Sequence, residues 1–180
     1  MVTLTDIKVS LKIPGIGGIE GTWKPNDAEK NAAWEMYVEL ITRVSVVELK
    51  KNEGLLREAL SSIHSLFDTT RKILREYGPT VAQQKNKDEL SFGHIAIIIL
   101  NIVIRPFLAK WHPILEDYEN NREDEVSILV HEKNWDKYDE FRASLEEIRL
   151  ILLQYTDILS DVADVPSLIE IKEHMGCIDD

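Results

Sequence analysis

The sequence predicts a mainly α-helical single domain, an elongated four-helix bundle with a short N-terminal β-hairpin. Three observations carry this expectation. Apolar residues recur at spacings of three and four over several long stretches, period-two alternation is confined to the N-terminal residues, and glycine or proline punctuates the boundaries between them. A chain of 180 residues fits one core, so residues 1–180 are read as one domain.

Residues 6–24 form the predicted hairpin. Ile7, Val9, Leu11 and Ile13 alternate with Lys8, Ser10 and Lys12, Pro14-Gly15-Ile16-Gly17-Gly18 supplies the turn, and Ile19, Gly21 and Trp23 resume the alternation. The glycine run lacks both a Gly-Lys-Ser/Thr ending and G-x-G-x-x-G spacing, which excludes a phosphate loop.

The helical bundle is expected over residues 27–162. Asn26 and Glu29 make a capping box, and Ala33, Tyr37, Leu40, Ile41 and Val44 continue the first helix to about residue 50. A second helix runs from Gly54 to Tyr77 on Leu56, Leu60, Ile63, Phe67 and Leu74, and Gly78-Pro79 stops it. Residues 80–89 are polar and aperiodic and read as a mobile loop.

A third helix spans Leu90 to Glu119, with a kink or break at Arg105 because Pro106 removes a backbone donor. Periodicity does not separate helix from buried strand for its apolar run, Ile95 to Ile104, and helix is preferred because only the terminal hairpin offers a strand to pair with. The run is also shorter than the ~20 residues that cross a bilayer. In the last helix, Trp135, Tyr138, Leu145, Ile148, Leu152, Tyr155, Leu159 and Val162 follow a heptad-like seam. Trp135, Tyr138, Leu145 and Leu152 are the expected interface residues. Residues 165–180, after the last helix, are a short helix or a loose tail.

Net charge is −11 and the basic residues are scattered, which disfavours unassisted nucleic-acid binding. The single cysteine, Cys177, excludes an intrachain disulfide or a Cys-based zinc site, and the N-terminal residues carry no secretory signature. A cytoplasmic protein without a membrane partner is expected. No histidine set has metal-ligand spacing, and Glu116-Asp117-Glu119 and Glu123-Asp124-Glu125 read as solvated acidic surface, so neither metal nor cofactor is expected.

One constellation carries candidate chemistry. Arg105-Pro106-Phe107-Leu108-Ala109-Lys110-Trp111-His112 places an arginine and a histidine six residues apart on the third helix. It resembles the R-x4-6-H motif of HEPN domains, helical bundles many of which are metal-independent ribonucleases of prokaryotic toxin and defence systems. The resemblance implies a dimer cleft in which Arg105 stabilises phosphate charge, His112 transfers protons and Asn101 is an auxiliary polar group. The same residues also have a purely structural reading: Phe107 and Trp111 in the core, Arg105 paired with a carboxylate, and His112 capping a helix end before Pro113.

The function expected from the residues is that of an interaction protein. It would self-associate or act as an accessory subunit of a larger prokaryotic assembly, antiviral defence included, with a protein or a second copy as partner. RNA is a partner only under the ribonuclease alternative that the resemblance implies.

Overall fold

The computed structural model describes residues 6–43, 50, 53–84 and 86–168. Strand β1 (Ile7–Ile13) pairs antiparallel with β2 (Gly17–Trp23), from Ile7 opposite Trp23 to Ile13 opposite Gly17. The alternation does what it predicts: Val9, Leu11 and Ile13 are buried. The hairpin is not alone, however. A two-residue strand β3 (Glu89–Leu90) joins β2 in parallel, giving the order β1-β2-β3. Gly21 permits this approach, because a Cβ there would lie 2.9 Å from Leu90 Cγ and 3.0 Å from the Asp88 carbonyl oxygen.

Residues 80–89 are therefore not a structureless loop. Gly78–Ala82 is a 3-10 turn that buries Val81, and Glu89 is buried within the sheet. So short a strand is held by backbone pairing and leaves no side-chain period to read.

The helices are α1 (Asp27–Ile41), α2 (Leu56–Tyr77), α3 (Phe92–Ile98), α4 (Arg105–Glu119), α5 (Ile128–Lys133) and α6 (Tyr138–Ala163). A π-helical turn, Ile99–Ile104, joins α3 to α4 in one continuous 28-residue helix, Phe92–Glu119. Among the described residues this makes five separate helices, of unequal length, in place of four matched ones. The short α5, capped by Ser127, is the addition. Helix α1 ends at Ile41, with Thr42 as its C-cap, so it is shorter than the predicted run to about residue 50; Val44 lies outside the described residues, as do the tail beyond Leu168 and Cys177.

Of the predicted kink or break at Arg105, the break does not occur: the helix runs on through Pro106, and its irregularity is the π turn at Ile99–Ile104. Pro106 has no amide hydrogen, and in an α-helix its ring would press on the carbonyl of Ile102. The π turn widens the helix just before that point, where the Arg105 amide reaches back to the Leu100 carbonyl oxygen. Pro113 is likewise accommodated inside α4. Ile95, Ile99, Leu100, Val103 and Ile104 are buried. Among the described residues this helix alone is long and apolar enough to cross a membrane, yet more than half of its apolar window is packed inside the protein.

Two buried carboxylates tie the elements together. Glu29, 3% exposed, closes the predicted capping box by accepting from the Asn26 amide at 3.0 Å while Asn26 Oδ1 accepts from the Glu29 amide at 2.9 Å. Its Oε1 also accepts from Trp23 Nε1 at 3.0 Å and from the Phe92 amide at 3.1 Å. One side chain thus serves the end of β2 and the first turns of α1 and α3. Glu132, 1% exposed, accepts from the Leu56 amide at 3.0 Å and so caps α2, whose own cap residue Leu55 has no side-chain oxygen to offer.

Candidate functional site

Helices α2 and α4 each present a row of polar side chains seven residues apart: Arg57, His64 and Arg71 on α2, and Arg105, His112 and Glu119 on α4. A seven-residue step returns nearly to the same helical face, so each row is a stripe. The two helices run antiparallel in contact, which sets Arg57 opposite Glu119 and His112, and Arg105 opposite the Phe67 region of α2.

At one end, Arg57 grips Glu119 through Nε, 3.1 Å from each carboxylate oxygen, and through a second nitrogen 2.5 Å from Oε2. Its remaining terminal nitrogen lies 3.0 Å from His112 Nδ1. A guanidinium only donates, so Nδ1 accepts and the neutral ring carries its proton on Nε2. That Nε2 is buried without a hydrogen-bond partner among the described residues. The His64 ring meets His112 edge-on at 5.7 Å. Burial first, then the charges of Arg57 and His64, hold His112 below the ordinary histidine range, against the opposing pull of Glu116 and Glu119. Glu132 is a neighbour of Arg57; burial pushes its carboxyl upward, and Oε1 has no hydrogen-bond partner among the described residues.

Further along, the Arg105 guanidinium stands 5.1 Å from the Phe67 ring centroid and Arg71 stands 5.4 Å from it. Arg105 donates to Asn101 Oδ1 from two nitrogens at 3.2 and 3.0 Å, and it pairs with no carboxylate among the described residues.

Each sequence-predicted site residue now has a place. Arg105 and Asn101 are bonded to each other and exposed, whereas His112 is half-buried and committed to Arg57. The two motif residues share a face of one helix but are engaged by different partners. The expected carboxylate partner of Arg105 is replaced by Asn101 and Phe67, and His112 lies within α4 and caps no helix end. Phe107 and Trp111 are in the core as expected.

Of the expected interface residues, Trp135, Leu145 and Leu152 are buried in the chain's own core and Tyr138 is half-buried, so the heptad-like seam is internal. Trp135 precedes α6 and packs against Trp111 at 5.9 Å and Tyr118 at 5.3 Å. No group of metal-holding side chains is found among the described residues.

Comparison with known proteins adds nothing to this geometry. No family model, curated protein or solved structure matches the chain.

The sequence singles out neither Arg57 nor Glu132, and Glu119, expected on a solvated acidic surface, is half-buried against Arg57. Arg57 and Glu119 are discoverable as members of the seven-residue rows. Glu132 is buried, while its neighbour His131 stacks on Tyr118 with ring centroids 4.1 Å apart. A carboxylate that caps a helix 76 positions away leaves no local signal.

Proposed function

We propose that this chain is an interaction protein, self-associating or an accessory subunit, whose contact surface is the outer face of the Phe92–Glu119 helix. One observation supports this reading. The most apolar helix of the chain leaves Ile97 and Ile102 45% and 42% exposed, in a stripe continued by exposed Pro106, Ala109 and Pro113. Ile16, at the β1–β2 turn and 64% exposed, lines the same shallow groove as Ile102 and Pro106 and widens the patch. An apolar surface of this continuity is characteristic of a binding face, whereas single scattered apolar residues are ordinary.

Burying each half-exposed isoleucine on association contributes about 1 kcal/mol. Sedimentation equilibrium of the wild-type chain should give a mass above the monomer, and the Ile97→Ser/Ile102→Ser variant should weaken association on the order of a thousandfold, because a symmetric pair buries each isoleucine twice, about 4 kcal/mol in all. A wild type that stays monomeric at about 100 µM, some 100-fold above a micromolar Kd, sinks self-association.

The ribonuclease reading has its own support in the exposed, carboxylate-free Arg105 on the same helix as His112. It requires Arg57 to release His112 Nδ1, the only ring lone pair available to take a proton. Single-stranded RNA incubated with the wild type in EDTA tests it. Cleavage lost in both Arg105→Ala and His112→Ala would establish this reading, and no cleavage at all would remove it.

A further inference from the structure

We infer that the occupant of the outer face of Phe92–Glu119 is a second copy of the same helix, laid antiparallel with the twofold axis at Ala109. The inference rests on the interaction reading above and adds the partner and its orientation.

The argument begins with charge. At the edge of the exposed stripe, where its guanidinium also rests over Phe67 of α2, the cation without an ion pair is Arg105, on the N-terminal side of Ala109. The unpaired anions are Glu116 and Asp117, on its C-terminal side; none of the three has an ion-pair partner among the described residues. The remaining charges of this stretch are already used, Lys110 by Glu140 and Glu119 by Arg57. Parallel pairing of two copies would set Arg105 against Arg105. Antiparallel pairing sets the basic half of each helix against the acidic half of the other, and does so twice by symmetry.

The position of the axis follows from side-chain size. Ala109 is exposed midway between Arg105 and Pro113 and is the smallest residue of the stripe, so two helices approach most closely there. With the axis at Ala109, Arg105 faces Pro113 of the second copy and lies about one helical turn from Glu116, roughly 4.5 Å along the axis. That offset is within the reach of an arginine side chain. Ile102 and Pro106 flank the crossing on one side and Pro113 on the other, which supplies apolar contact around the charges.

Single-cysteine cross-linking of the full chain, in a Cys177→Ser background, tests the geometry directly. With a short bis-maleimide, Ala109→Cys should link copy to copy efficiently because only a residue on the axis meets itself. Ile97→Cys should not, since its two copies would stand roughly 36 Å apart along the helices. In sedimentation, Arg105→Glu should weaken association at least about tenfold, and Arg105→Glu/Glu116→Arg should regain it. Circular dichroism establishes that each variant keeps the wild-type helicity.

If a wild-type dimer persists while both cysteines link, or neither does, the antiparallel pairing is overturned and the interaction reading survives. If the wild type is monomeric, self-association and the pairing fall together. Linking at Ala109 alone, with charge-swap rescue, establishes the proposal.

Discussion

Glu29→Ala should lower the stability of the chain by about 3 kcal/mol or more, a fall in melting midpoint on the order of 10 °C. The carboxylate accepts from three donors, the Asn26 amide, the Phe92 amide and the Trp23 indole, and it is all but sealed from water. Truncation leaves each of those donors without that partner in a buried place, and an unmade buried hydrogen bond costs far more than a made one contributes. Glu29→Gln separates the causes. It keeps the volume but turns one accepting oxygen into a donor, so it should recover only part of the loss. Thermal melting monitored by circular dichroism reads both variants, and an alanine variant within 1 kcal/mol of wild type would mean that water replaces the carboxylate without penalty.

Arg57→Ala carries the second large effect, about 1–3 kcal/mol, because Glu119 loses its bidentate partner and His112 loses its donor. Its signature lies in the pH dependence. His112 is held below the ordinary histidine value of about 6.5, so the unfolded chain binds its proton more readily than the folded one. The stability tied to the neutral ring is therefore present above that value and is lost as pH falls through the lower folded-state value.

Glu132 acts in the opposite sense. Its carboxyl is pushed upward by burial, so protonation at acid pH relieves a cost and partly offsets the loss at His112. Without Arg57, burial of the ring remains but the neighbouring positive charge is gone, and His112 should titrate closer to its ordinary value. The imidazole titration followed by NMR reports this shift. Urea midpoints at pH 7.5 and 5.5 should show a smaller acid loss in the variant than in the wild type. A wild-type ring that titrates at or above the ordinary value would contradict the contact with Arg57.

What the sequence reveals and conceals here follows from the range of the interactions. The hairpin, the Asn26–Glu29 box and the stop at Gly78-Pro79 are written in neighbouring residues, and the structure keeps all three. The segment of α5 offers too few residues for a period, and β3 consists of backbone pairing alone. The heptad-like spacing of Leu145 and Leu152 was real, but spacing alone does not say whether a seam faces another helix of the same chain or a partner. At the candidate site, the motif pair Arg105 and His112 was visible as letters. Its true neighbours were not, because Arg57 reaches His112 across 55 positions and Phe67 comes to Arg105 from another helix.

The π turn at Ile99–Ile104 has a consequence for how this chain can change over generations. A π turn holds one residue more than an α turn for about the same rotation, so it works as a phase-setting insertion that lets two apolar stripes in different registers share one rod, Phe92 and Ile95 before it and Phe107, Trp111 and Leu115 after it. Losing a single residue between Ile99 and Ile104 would close the turn to an ordinary α turn and leave both stripes facing the core. Losing one within the regular α-helix on either side would swing everything beyond it by about 100° and set one half of the rod against the other.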